Sequence, residues 1–87
     1  MDAREMRAFL SLANLLHFGR ASEVSHMSPS ALSRSIRRTE GELGVELFRR
    51  DKRSVALTRA GRLFITYCEE SLARRSALEY SLNKETA

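Results

Sequence analysis

The stretch Phe18-Gly19-Arg20-Ala21-Ser22-Glu23-Val24-Ser25-His26-Met27-Ser28-Pro29-Ser30-Ala31-Leu32-Ser33-Arg34-Ser35-Ile36-Arg37-Arg38 decides the fold. Within it, Ser28 offers a side-chain oxygen to an orphan backbone N–H, and Pro29 takes a first helical position where its missing N–H costs nothing. A helix over residues 29–43 follows, closed by Gly44. A shorter helix precedes it, starting at Gly19 or Arg20 and ending near His26, with Phe18, Ala21 and Val24 facing inward. Two short helices joined by a tight turn predict a helix-turn-helix.

On the second of these helices Leu32, Ile36, Thr39 and Leu43 recur at helical spacing and define a buried stripe. Ser30, Ser33, Arg34, Arg37 and Arg38 then share the opposite side, with no glutamate interleaved among them. Small residues at the helix start permit close backbone approach to a groove. Arginines can take guanine edges bidentately or grip phosphates. Set against this is a plain solvated cationic face.

Upstream, Asp2 and Glu5 are spaced as a capping box. Met6, Phe9, Leu10, Ala13 and Leu16 continue as the apolar stripe of a helix over residues 3–16, which is core. Downstream the period changes. Val45, Leu47 and Phe48 lead into the charged turn Arg49-Arg50-Asp51-Lys52-Arg53, after which Val55 and Leu57 alternate with Ser54 and Ala56. This predicts a short β-hairpin with a basic tip, the wing of a winged helix, placing Arg50, Lys52 and Arg53 beside phosphates or in a minor groove. Thr58 then caps a last helix running past Gly61 to about Asn83. The fold class expected is mainly α: a winged helix-turn-helix over residues 1–58 and a long carboxy-terminal helix over 59–87.

Phe64, Cys68, Leu72, Leu78 and Leu82, with Leu63 and Tyr67 alongside, form an apolar strip longer than the other helices can cover. A homodimer built on this strip accounts for it, parallel or antiparallel. A frayed tail is the competing reading. Two copies would present two reading helices to an approximately palindromic site.

The net charge is +4, and its distribution matters more than its size. Residues 28–62 carry nine cations (Arg34, Arg37, Arg38, Arg49, Arg50, Lys52, Arg53, Arg59, Arg62) against Glu40, Glu42, Glu46 and Asp51. The flanking segments are neutral or slightly acidic, so the whole cationic excess lies in the middle, as a polyanion-binding face requires. At 87 residues the chain makes one small domain with a thin core. One cysteine, Cys68, excludes an internal disulfide and fits a reducing cytoplasm. No apolar run approaches the ~20 residues of a membrane span. Two histidines, His17 and His26, and one cysteine in no ligand spacing argue against a metal site, and the serines lack a positioned base. No enzyme activity and no cofactor are expected.

The run Phe18, Arg20-Ala21, Ser28-Pro29-Ser30-Ala31-Leu32-Ser33-Arg34, Ile36, Glu40, Leu43-Gly44, Leu47-Phe48, Arg50, Arg53, Val55, Leu57-Thr58, Ala60-Gly61 resembles the amino-terminal domain of LysR-type transcriptional regulators, over residues 3 to about 84. The resemblance implies double-stranded DNA as partner, a linker helix that pairs two subunits, and an effector-binding domain absent from this chain. It leaves RNA polymerase open as a partner of the full-length protein. Carried over by position, DNA contacts fall on Ser30, Ser33, Arg34 and Arg37, on Arg50 and Arg53, and on the backbone near Ser28, with Arg20 as a phosphate clamp.

The sequence also departs from that pattern. Where Ser25 stands the family usually has an apolar residue, and Val24 would turn inward in its place. Leucine is usual at Thr39, a good helix former at Gly41, and glutamine is frequent at Ser35, where serine removes an amide that could reach a base or phosphate. A reading from another class stays open: a winged-helix protein-interaction module whose basic face meets an acidic partner.

Overall fold

Asp2 and Glu5 close a reciprocal capping box, Asp2 Oδ1 accepting from the Glu5 N–H at 2.8 Å and Glu5 Oε1 from the Asp2 N–H at 3.2 Å. Helix α1 (Ala3–Leu15) starts there and ends on Leu16 in the left-handed region. Helix α2 (Phe18–Ser25) begins slightly earlier than expected, because the His17 imidazole acts as its cap, Nδ1 accepting from the Arg20 N–H at 3.1 Å. Helix α3 (Pro29–Leu43) starts as predicted, with Ser28 Oγ accepting from the Ala31 N–H. It closes on Gly44 at φ 72°, a backbone conformation that favours glycine. The computed structural model describes residues 1–86.

Strands β1 (Phe48–Arg50) and β2 (Val55–Leu57) pair antiparallel, Phe48 opposite Leu57 and Arg50 opposite Val55. The predicted hairpin is therefore present, with Arg49 and Arg50 in the first strand rather than in the turn. Helix α4 (Arg59–Thr86) runs slightly further than expected. Thr58 caps it, Oγ1 accepting from the Gly61 N–H at 3.0 Å and donating to the Glu46 carbonyl at 2.6 Å, which also fixes the chain leading into the wing. Four helices and a two-stranded hairpin make the expected winged helix. No helix among the described residues is long and apolar enough to cross a membrane.

The core joins Ala8, Phe9 and Leu12 of α1 to Ala21, Leu32, Ile36, Leu47, Phe48 and Cys68. Phe9 is its centre, with ring centroids 5.4 Å from Phe48 and 4.9 Å from Phe64, so one aromatic side chain ties α1 to both the wing and α4.

Three inward assignments are corrected. Leu16, expected on the core stripe of α1, is 40% exposed, because it lies past the last helical residue as the left-handed cap. Val24 is 63% exposed. The inward stripe of α2 is Phe18, Ala21, Ser22 and Ser25, at helical spacings that leave Val24 outside it. Ser22 meets the cost by donating to the Gly19 carbonyl at 2.8 Å, while the buried Ser25 Oγ has no protein partner. Leu43 is 51% exposed, because it sits at the last turn of α3, beyond the cover of α1. Thr39 keeps its buried place by donating to the Ser35 carbonyl at 3.0 Å.

Two helical glycines are expected to respond oppositely to alanine. A methyl at Gly61 would collide with the Leu47 carbonyl oxygen and the Leu57 side chain, whereas one at Gly41 meets nothing within 4 Å. Urea unfolding should show Gly61→Ala destabilised by about 1 to 3 kcal/mol and Gly41→Ala stabilised by about 0.5 to 1 kcal/mol. A neutral Gly61→Ala would contradict the packing of α4 on the wing.

Candidate nucleic-acid interface

Helix α3 separates its two faces cleanly. Leu32, Ser35, Ile36 and Thr39 are buried, while Ser28, Ser30, Arg34, Arg37 and Arg38 are exposed. Ser28 and Ser30 lie with their hydroxyls 3.3 Å apart at the helix start, a low-profile end with no bulky side chain. One turn on, the arginines begin. Ser33 is half-buried at the edge of this face.

The wing stands beside the same face. Its turn is ordered by Asp51, whose Oδ1 accepts from the Arg53 and Ser54 backbone N–H groups, both at 2.8 Å. Those backbone bonds hold the Asp51 carboxyl below its ordinary range. Lys52 and Arg53 project from this turn, both exposed. Arg50 differs. Strand alternation turns it toward α3, where Nη1 donates to Ser33 Oγ at 3.2 Å and Nη2 to Glu40 Oε1 at 3.4 Å. Its guanidinium also lies 5.0 Å from the centroid of the Phe18 ring. Burial lowers its pKa from the ordinary arginine value, with the Glu40 carboxylate opposing the shift.

The helix-turn-helix is also the part of the chain that matches a known family. The family of bacterial regulatory helix-turn-helix proteins of the lysR type matches over residues 3–62. The chain belongs to the LysR family. It is 42% identical over 85 residues to the HTH-type transcriptional activator IlvY of Salmonella typhimurium, covering 98% of this chain and 29% of that one. The DarR regulator of Vibrio fischeri, solved in complex with DNA, superposes with a TM-score of 0.89 at 27% identity over 99% of this chain and 30% of that one. The DNA-binding domain of BenM on its catB site 1 DNA superposes with a TM-score of 0.88 at 26% identity, over 100% and 97%. The chain thus spans under a third of the length of IlvY.

As a LysR-family domain, the chain holds several of its expected contact residues in internal bonds. Arg38 is paired with Glu5 of α1 through Nη2, although most of its side chain is exposed. Ser35 also donates to Glu5, so position 35 faces α1 rather than outward. The expectation that serine there removes a contact to base or phosphate is therefore corrected. Arg20 is exposed at the start of α2. Sequence reasoning missed Arg4, whose Nη2 donates at 2.7 Å to the carbonyl of His26, the left-handed cap that ends α2. It also missed Glu5 as a link between helices, having seen only its local capping spacing.

On α4, Leu63, Tyr67, Leu78 and Leu82 are exposed, and Phe64 and Leu72 are half-buried. Tyr67 stacks on Phe64 at 5.3 Å between ring centroids. Cys68 is not on this strip. It is fully buried in the core, which pushes its thiol pKa up to about 11. Residues 73–86 are all exposed.

Glu5 gives the domain a pH dependence. The Ser35 hydrogen bond holds its carboxyl below the ordinary range, opposed by burial and aided by the Asp2 N–H and the Arg38 guanidinium. A lowered native pKa contributes stability that is complete above the unfolded value, about 4.3, and is lost as pH falls through the native value. Glu5→Gln should therefore cost about 1 to 3 kcal/mol at neutral pH, and its gap to the wild type should close in acid. A gap independent of pH would contradict this assignment.

Proposed function

We propose that the chain binds double-stranded DNA sequence-specifically as a homodimer, serving a cytoplasmic transcription regulator. Residues 1–58 form the reading unit, and the helix from residue 59 onward is the linker that pairs two copies. The observation that carries this reading is the division of α3, with Leu32, Ser35, Ile36 and Thr39 buried while Ser30, Arg34 and Arg37 stand free on a projecting face. A helix inserted in a major groove needs such a face, small at its start and cationic further along. The cationic excess of residues 28–62 supports phosphate contact on either side of it.

In this arrangement the amino-terminal turns of α3 meet base edges, with Arg34 as the principal reader and Ser30 and Ser33 beside it. Arg37 and the backbone near Ser28 meet phosphates. Lys52 and Arg53 reach the minor groove or its flanking phosphates from the wing. Dimerisation through Leu63, Tyr67, Leu72, Leu78 and Leu82 is supported by the exposure of Leu63, Tyr67, Leu78 and Leu82, with Leu72 half-buried between them, along a helix of 28 residues, about 42 Å at the ~1.5 Å rise of an α-helix. The operator of such a dimer is approximately palindromic.

Arg34 and Arg53 separate base reading from phosphate gripping. Arg34→Ala should cost about 1 to 3 kcal/mol at the preferred duplex and flatten its sequence preference. Arg53→Ala should weaken binding nearly uniformly and make the salt dependence shallower. Fluorescence anisotropy on matched and scrambled duplexes checks both, and a uniform loss at both positions would remove the claim that α3 reads sequence.

A further inference from the structure

Arginine carries only donors, so any hydroxyl it bonds must accept from it. Arg50 occupies such a relation to Ser33, with Nη1 at 3.2 Å from Ser33 Oγ. The guanidinium is held from two other sides, by Glu40 Oε1 at 3.4 Å and by the Phe18 ring at 5.0 Å, and only 20% of its side chain is exposed. Ser33, Arg37 and Glu40 fall on one flank of α3, one and two turns apart, which lets a single wing residue reach both ends of that flank.

We propose that Arg50 is a positioning residue that fixes Ser33 as a hydrogen-bond donor toward DNA, making the pair a determinant of which base edge α3 accepts. This rests on the DNA-binding reading above. Two buried hydroxyls of the domain spend their proton internally, Ser22 on the Gly19 carbonyl and Thr39 on the Ser35 carbonyl, whereas the Ser25 Oγ has no protein partner at all and is shut away from the exposed face. Among the described residues Ser33 has the bond from Arg50 but no internal acceptor for its own proton. With one lone pair taken on the wing side, its O–H is left to point away from Arg50, along the exposed row that holds Ser30 and Arg34.

A donor in a major groove favours the acceptors of guanine, of thymine O4 or of adenine N7, and disfavours the amino groups of cytosine and adenine. Arg50 thereby contributes to sequence preference without touching DNA. Its charge is already offset by Glu40, and its exposed fraction is small. The wing then has two roles: its tip supplies Lys52 and Arg53, and its first strand sets the polarity of a reading residue.

The test uses the same chain, as wild type, Ser33→Ala, Arg50→Met, Arg50→Lys and the double variant Ser33→Ala/Arg50→Met. Arg50→Lys keeps a charge beside Glu40 should the methionine variant fail to fold, but offers one ammonium for two acceptors. Duplexes recovered by selection from a randomised library, and their single-position variants, are titrated at several salt concentrations. Wild type should discriminate about three- to tenfold at one base pair against an edge presenting an amino donor. Each single variant should lose that discrimination at the same base pair, the double variant should lose no more, and the salt dependence should be unchanged. Discrimination kept by Ser33→Ala or by either Arg50 variant overturns the proposal. So does a salt slope shallower by about 0.9 in Arg50→Met at every sequence, which would make Arg50 a phosphate ligand. No enrichment from the library would overturn the DNA-binding reading and this inference with it.

Discussion

The reversal of the chain between α3 and the wing depends on one residue, Glu40. Its carboxylate accepts from the backbone N–H of Leu47 at 2.8 Å and of Phe48 at 3.3 Å, and from Arg50 at 3.4 Å. Its own carbonyl accepts from the N–H of Gly44 and of Val45. Leu47 and Phe48 are almost fully buried, so without Glu40 two backbone donors would be left unpaired where water cannot serve them. The same residue thus closes α3 through its carbonyl, and through its carboxylate starts the wing and holds the wing's arginine against α3. The angle between the two cationic elements is a consequence of that site rather than of the hairpin itself.

Core packing reinforces the arrangement from below. Phe9 contacts Phe48 and Phe64 through tilted and edge-on ring geometries, linking α1, the wing and α4 at one point. Gly61 permits the closest approach, where α4 crosses the Leu47 carbonyl and Leu57. Apolar contact fixes the depth of each element, and hydrogen bonds to Glu40 and Glu5 fix its rotation. The result is a packed frame that leaves Ser30, Arg34, Arg37, Lys52 and Arg53 exposed.

What the sequence made legible was local. The Asp2–Glu5 capping box, the Ser28-Pro29 helix start, the left-handed Gly44 and the Thr58 cap all depend on residues a turn apart, and all are where spacing placed them. The family resemblance extended this to the winged-helix order. Long-range pairings were not legible. Arg38 and Ser35 meet Glu5 across separations of 33 and 30 residues, and Arg50 meets Ser33 across 17. Composition marks these arginines as cations but does not tell an internally paired one from a free one. Leu16, Val24 and Leu43 were misplaced for a related reason, since an apolar residue on a short helix or at a helix end faces inward only if a neighbour reaches it. Cys68 went the other way: periodicity put it on a strip, and packing against the core removed it from the exposed part.

Sequence-specific reading by a dimer is tested most directly by selecting this chain's preferred sequences from a randomised duplex-DNA library, followed by a salt titration on the recovered duplex. The expected result is an inverted repeat whose half-sites lie about one helical turn or a multiple apart, with log K falling steeply with log salt at roughly 0.9 per phosphate neutralised. Recovery of no sequence, together with weak binding insensitive to salt, would contradict it.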